Sequence, residues 1–254
     1  QTRPDLAVFI GALQRAMAAP TRRHAKDINR VVRFMKRHPM RIKIRKLKAT
    51  KWRIVIISDS AFKAQETDGL AIRSGIICLT GDDDKLGGEI VPIEWVSSKQ
   101  RHVTRSTYAA ELLAALDNAG LACNIQSVLF EVYYGIRTAV ELLASRDEIS
   151  RQLPMDLIID ARSVFDGITA TQISPAERCL LIHALALREL LDSAVLRFLC
   201  WVDTRDMACD ALNKGSVERA SITRFMQGAS WEVTHAFMRW SSKESTLSWR
   251  RKRI

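Results

Sequence analysis

The sequence reads as an α/β protein: a five-stranded mixed sheet flanked by helices and preceded by a small basic helical module. Three observations carry this reading. Short apolar runs rich in β-branched residues recur between polar or turn-forming segments, at Trp52–Ser60, Gly75–Thr80, Glu89–Val96, Met155–Ile159 and Val195–Val202. Stretches with apolar residues at helical spacing separate the later runs, as in Ala109, Leu112, Leu113, Leu116 and Ala119. Positive charge is concentrated in one place. Between Thr21 and Arg53 fourteen Lys and Arg face a single acid, Asp27, a local charge of +13; the chain as a whole carries +11, so the remainder is −2 (11 − 13).

At 254 residues and 47% apolar composition the chain is long enough for one large domain or two modest ones with a real core. Charges interrupt its apolar runs well short of a bilayer span, so no membrane is expected as a partner. No signal peptide is evident and the first residue is Gln1, which reads as a fragment or a processed piece of something longer. The five cysteines include no CxxC pair and are expected to be reduced, in a reducing compartment. With the five histidines they form no cluster of zinc-ligand spacing.

Asp5–Ala18 has one apolar face (Leu6, Phe9, Ile10, Leu13, Met17) and is stopped by Pro20. Thr21 caps a second helix, Arg22–Arg37, with an apolar stripe of Ile28, Val31, Val32 and Met35, ended by Pro39. Its other face carries Arg22, Arg23, Lys26, Arg30, Arg33, Lys36 and Arg37. Charge this dense points to a polyanion partner, nucleic acid before any other. Met40–Lys51 alternates basic and apolar residues, as an edge strand or extended linker does. The expected divisions are therefore residues 1–51, the basic module; 52–229, the sheet domain; and 230–254, a basic tail in which no element is evident.

Trp52–Ser60 reads as a fully buried central strand ending on a carboxylate, Asp59. A meander of two further strands follows. The loop between them, Gly81–Gly88, holds Asp82, Asp83 and Asp84, which read as a solvated loop tip before a metal site. The helix Thr104–Ala122 places Glu111 among apolar neighbours, and more helix is expected over Asn124–Ser145. Met155–Ile159 is a short, fully apolar strand and again ends on a carboxylate, Asp160; Ala161–Thr169 and Pro175–Ser193 follow as helices. After Val195–Val202 a last helix, Met207–Asn213, contains Asp210, with Asp203 and Asp206 as competitors for its role. Taken singly these acids read as turn, cap or ion-pair residues, Glu111 with Arg105 or His102. As an ordered set they can converge at one end of a mixed sheet. Converging carboxylates repel one another unless cations neutralise them, and hard oxygen ligands suit two Mg²⁺ or Mn²⁺ ions and in-line displacement at phosphorus.

From Trp52 to about Lys214 the chain resembles the ribonuclease H domain of copia-type (Pseudoviridae) long-terminal-repeat retrotransposon polyproteins. Asp59-Ser60-Ala61-Phe62-Lys63-Ala64 is similar to that family's Asp, small, x, aromatic, x, Ala segment, and Ser74-Gly75 to its Ser-Gly before strand two. Ile93–Leu112, IEWVSSKQRHVTRSTYAAEL, resembles its Trp-x-Ser-x-Lys-Gln segment and the helix carrying the catalytic Glu. Asp160-Ala161-Arg162-Ser163 resembles the end of its strand four. WVDTRDMACDALNKG resembles its Val-x-Thr-x-x-x-x-Ala-Asp-x-Leu-Thr-Lys ending and picks out Asp210 over Asp203 and Asp206. Thr2–Ala7 and Ala19–Pro39 look like the end of the same family's reverse transcriptase, without the polymerase carboxylates. Three departures stand out: a longer segment between Glu111 and Asp160, Arg178–His183 in place of the family's Lys-His-Ile-Asp-Ile-Arg, and Asn213 for a common Thr.

The resemblance implies a ribonuclease-H-like fold and a metal-dependent endonuclease that cuts the RNA strand of RNA–DNA hybrids. Asp59, Glu111, Asp160 and Asp210 would hold two Mg²⁺ or Mn²⁺, the basic helix would grip phosphates, and Ser97, Ser98, Lys99, Gln100 and Thr104 would contact the backbone near the site. It also implies the reverse transcriptase portion of the same polyprotein as partner, and an intracellular setting, a cytoplasmic virus-like particle with entry to the nucleus. Two other readings stand beside it: a catalytically silent nucleic-acid-binding module, and a structural connection piece.

Overall fold

The computed structural model describes residues 3–62, 70–82, 85–228 and 230–242. In chain order the elements are α1 (Ala7–Arg15), α2 (Arg22–Arg37), β1 (Trp52–Ala61), β2 (Ile72–Gly81), β3 (Gly87–Lys99), α3 (Thr107–Tyr134), α4 (Ala139–Ala144), α5 (Arg146–Gln152), β4 (Met155–Ile159), α6 (Arg162–Thr169), α7 (Leu181–Asp192), β5 (Leu196–Val202), α8 (Asp210–Asn213), α9 (Ala220–Gly228), β6 (Ser230–Glu232) and β7 (Phe237–Trp240). The strands form a mixed sheet in the order β6-β3-β2-β1-β4-β5-β7. β1, β2 and β3 are an antiparallel meander, β4 joins β1 and β5 joins β4 in parallel, and β6 and β7 close the two edges antiparallel.

The sheet thus has seven strands among the described residues, not five. Both additional strands lie from Ser230 onward, where the sequence offered no element. They are only three and four residues long, too short for a period-2 pattern. The residues joining them, 233–236, are tied down by Asp206, whose carboxylate accepts from Thr234 Oγ1 and the backbone N–H groups of Thr234 and His235. Gly87, at φ +98°, lets β6 approach closely: a Cβ there would lie 2.7 Å from the Trp231 carbonyl oxygen.

β1 explains the uninterrupted apolar run, because both of its faces are covered. Ile54 and Ile56 point into a core shared with Leu112, Ala115 and Ala119 of α3, Leu157 and Ile159 of β4, Val164 and Ile168 of α6, and Leu187 of α7. Val55 and Ile57 point into the opposite core, with Ala7, Ala211, Leu212, Ile222, Phe225, Met226 and Trp231. α1 is therefore built into the sheet's second face. α2 has no buried residue, and its stripe is only partly covered, with Ile28, Val32 and Met35 all exposed. Residues 40–49 have no regular structure; Leu47 is buried, and the Lys43 N–H donates to the Met226 carbonyl.

α3 runs unbroken for 28 residues and, with α4 and α5, accounts for the long segment between Glu111 and Asp160. By length and composition α3 could cross a bilayer; here its apolar face lies on β1 and β2. Asp156 lies inside the stretch read as fully apolar. It is buried, and Arg197 donates to both its oxygens at 3.0 and 2.8 Å, with Arg53 Nε at 3.5 Å. A buried acid paired in this way costs far less than an isolated one. Asp82 also pairs with Arg197; Asp83 and Asp84 lie outside the described residues, as do Lys63 and Ala64.

Candidate metal-binding site

Two strands and two helices bring the predicted acids together. The parallel register sets Ile57 opposite Ile158, so Asp59 and Asp160, two residues further along each chain, leave the sheet side by side. The β1 ladder continues past Asp59 to Ala61, so this acid lies inside the strand and not at its end. Glu111 comes down from the second turn of α3, whose N-terminus is fixed by Ser106 Oγ accepting from the Ala109 N–H. Asp210 opens α8 on the opposite face of the sheet.

One carboxylate oxygen from each of Asp59, Asp160 and Asp210 lies within 4.8 Å of the others. Glu111 lines the same cleft, of about 720 Å³, with Asp59, Asp160, Thr204, Asn213 and Lys214. Its carboxyl is hydrogen-bonded to Asp59 and to the Ser60 backbone, while Oε2 is buried with no hydrogen-bond partner. Asp203 and Asp206 are engaged elsewhere, Asp203 with Arg205 and Asp206 with Thr234 and His235. The alternative pairing of Glu111 with Arg105 or His102 is not seen among the described residues.

Three further side chains hold the acids in place, and none of them was singled out from sequence as a site residue. Thr204 Oγ1 donates to Asp160 Oδ2 at 2.9 Å. Asn213 Nδ2 donates to Asp59 Oδ2, also at 2.9 Å. Lys214 Nζ lies 2.6 Å from Asp210 Oδ1 and 3.2 Å from Asp59 Oδ2. The signal for Lys214 was its i+4 spacing from Asp210, which puts the two on one helix face.

The crowding is written in the proton affinities. Burial, then the charges of Asp59 and Asp160, push Glu111 up to about 10. Burial, then the hydrogen bond and charge of Asp59, push Asp210 up to about 7. Asp160 is raised by burial and by Asp59. For Asp59 burial acts upward, but hydrogen bonds from Asp210, Asn213 and Glu111 and the Lys214 ammonium outweigh it and leave it below the ordinary carboxylate range. Asp59 is held ionised while the proton affinities of Glu111, Asp160 and Asp210 rise, as expected for carboxylates that share a site without enough positive charge. Three hard oxygen donors this close, with the orphaned buried oxygen of Glu111 lining the same cleft, fit a divalent cation of the Mg²⁺ or Mn²⁺ class.

The predicted nucleic-acid contacts divide. Arg22, Arg23, Lys26, Arg30, Arg33, Lys36 and Arg37 are all exposed on α2. Arg30 is paired with Asp27 at 2.8 Å, and Arg33 donates to the Asn29 carbonyl. Arg23 and Arg30 line a groove of about 810 Å³ between α1, α2 and residues 215–219, and Gly215 borders both this groove and the acidic cleft. Ser97, Ser98 and Lys99 are half-buried at the end of β3, with Ser97 Oγ donating to the Leu212 carbonyl. Gln100 and Thr104 are buried: Gln100 Nε2 donates to the Ala110 carbonyl at 2.7 Å, joining β3 to α3 just beside Glu111.

No family model matches the chain, and no curated protein matches it. Among solved structures, the N-terminal RNase H domain of a Mycobacterium tuberculosis protein, determined as a fusion with maltose-binding protein, is similar at 14% identity and a TM-score of 0.37, over 65% of this chain and 92% of that one.

Proposed function

We propose that this chain is a metal-dependent nuclease that hydrolyses the RNA strand of RNA–DNA hybrids, within a copia-type retrotransposon polyprotein. The observation that carries the reading is the convergence of Asp59, Asp160 and Asp210 within 4.8 Å, with the unpaired oxygen of Glu111 beside them. The strand order supports it: a three-stranded antiparallel meander extended by two parallel strands is the arrangement expected of a ribonuclease-H-like sheet, here with β6 and β7 added at its edges.

Each residue has a part. Asp59, Glu111, Asp160 and Asp210 would hold divalent cations through their carboxylate oxygens, and cations held there would supply the positive charge that activates a water and offsets charge on the leaving 3′-oxygen. Thr204 holds the Asp160 carboxylate in the cleft through one of its oxygens. Asn213 fixes the Asp59 carboxylate from below. The water oxygen bonds to phosphorus as the bond to the 3′-oxygen breaks, leaving 5′-phosphate and 3′-hydroxyl ends. The exposed cations of α2, bordering the cleft through Gly215, hold the phosphate backbone. Discrimination of RNA needs contacts to 2′-hydroxyls, for which Ser97, Ser98 and Lys99 are the candidates. Gln100, being buried, acts by joining β3 to α3, and Thr104 is buried away from a bound backbone.

The test is a labelled hybrid incubated with Mg²⁺ and either the chain or its Asp160→Asn variant. Cleavage by the first and not the second is the expected result. Equal cleavage by both, or none by either while the hybrid is still bound, would leave the silent nucleic-acid-binding module, which the exposed face of α2 favours. A chain that neither cuts nor binds would leave only the structural connection piece.

A further inference from the structure

Lys214 stands where a cation is wanted. Its ammonium closes the Asp59–Asp210 edge of the cluster, 3.2 Å from one carboxylate and 2.6 Å from the other. The other edge is open: Glu111 Oε2 is 95% buried with its residue, lines the cleft and has no hydrogen-bond partner. We infer that Lys214 is a resident cation that takes one of the two positions a pair of divalent ions would fill, so that the site binds a single divalent cation, between Asp59, Glu111 and Asp160. The inference rests on the metal-dependent reading above and revises the expectation of two ions.

Geometry and charge support it. An ammonium this close to both acids occupies the volume in which an ion shared by Asp59 and Asp210 would sit, because hard cations need carboxylate oxygens at about 2.0–2.2 Å. The backbone that carries Lys214 is held in place: its carbonyl accepts from Arg219 Nη2, whose Nη1 holds the Ala211 carbonyl and whose guanidinium covers the Phe9 ring, so the lysine stem starts from a fixed point beside the two acids. With all four acids ionised the site carries −3 (−4 + 1). One divalent cation leaves −1; two would leave a net positive site with Lys214 forced against one of them. In the cleavage reaction the ammonium would supply, at the Asp210 side, the fixed positive charge that a second ion supplies elsewhere.

The experiment is titration of the full chain with Mn²⁺ alone, counting ions by calorimetry and by the paramagnetic resonance of free Mn²⁺, with no hybrid present. One ion per chain is expected, two for Lys214→Met, and one for Lys214→Arg, which keeps the charge. The first ion should bind Lys214→Met about tenfold more tightly, because a neighbouring positive charge is gone. Two ions in the unmodified chain, or one in a folded Lys214→Met, would overturn the inference. Thermal unfolding verifies that each variant folds; if Lys214→Met does not, Lys214→Gln replaces it, and the count on the unmodified chain decides in either case. Hybrid cleavage measured alongside separates the two readings. Two ions with Mg²⁺-dependent cleavage sinks the resident-cation inference and keeps the nuclease; no ion and no cleavage sinks both.

Discussion

Replacing Asp160 by Asn should make the metal-free protein more stable while removing the proposed hybrid cleavage. Asn keeps the size of the side chain and an oxygen that can accept from Thr204, so what changes is charge. Asp160 and Asp59 present oxygens within 4.8 Å; at an effective dielectric constant of about 20, like charges at that distance repel by about 3.5 kcal/mol. The cluster relieves part of this by retaining protons, so the realised gain is about 1–3 kcal/mol at pH 8. In a chain of this size that moves the unfolding midpoint upward by roughly 3–10 °C. The sign with pH is fixed. Burial and Asp59 raise the proton affinity of Asp160, so the folded state holds a proton that the unfolded chain has already lost, and stability falls as pH rises out of the ordinary carboxylate range. Asn has no such proton, so the difference between variant and parent should be largest at pH 8 and close to nothing at pH 4. The assay is thermal unfolding in EDTA at the two pH values, then with Mg²⁺, which should stabilise the parent more than the variant. A variant less stable than the parent in EDTA at pH 8, or a gain independent of pH, would refute the argument that these carboxylates are held against their repulsion.

Other consequences follow from single contacts. Thr204→Val removes the hydroxyl that orients Asp160 at an exposed position; kcat should fall about tenfold with KM and stability nearly unchanged, and Thr204→Ser should restore it. Converting Arg23, Lys26, Arg33 and Lys36 together to Gln should weaken hybrid binding and reduce the slope of log K against log salt by about 3, read from binding isotherms over a KCl series. Gly75→Ala would place a Cβ 2.6 Å from the Asn118 amide, which donates to Ser58 Oγ and the Ser74 carbonyl; denaturant titration should show a loss of about 2–4 kcal/mol, partly recovered in the double variant with Asn118→Ala.

What was legible in the chain follows from burial. β1 and β4 are buried along almost their whole length, and a strand buried on both faces is mostly apolar, so their runs mark them within a residue or two; β5, half-buried at Arg197, Phe198 and Trp201, is marked by a similar run. Asp156 breaks that rule silently, because its partners Arg53 and Arg197 are distant in sequence. α9 had a readable signal, Ile222, Phe225 and Met226 at helical spacing, all buried. β6 and β7 did not: each is held by pairing to an edge, with Trp231 buried in one core and Trp240 packed in part against the other. At the site, acids stand out because a carboxylate next to a buried run demands a reason. Thr204, Asn213 and Lys214 stand at the Thr, Thr and Lys positions of the ending that carries the resemblance, but by chemistry alone a Thr, an Asn or a Lys after a strand or on a short helix is ordinary until the acids it touches are known to meet.

The same proton-holding cluster should make cation binding release protons. Glu111, raised to about 10 by burial and then by Asp59 and Asp160, is protonated at pH 8 in the free protein, whereas Asp210, at about 7, is mostly ionised there. A divalent ion binds the carboxylate form, so on binding at pH 8 Glu111 must give up its proton and Asp210 gives up almost none. About one proton should therefore leave per ion bound, and affinity should rise with pH, by roughly tenfold per unit, until Glu111 ionises by itself. Calorimetry with Mg²⁺ in buffers of different ionisation heat measures this directly: the apparent enthalpy should vary linearly with the buffer's, with a slope near one proton. Glu111→Gln has no proton to release, and its slope should drop towards zero even if it still binds the ion. A slope of zero in the unmodified chain would mean that Glu111 is either already ionised or not a ligand, and the orphaned oxygen beside Asp59 would then need another explanation.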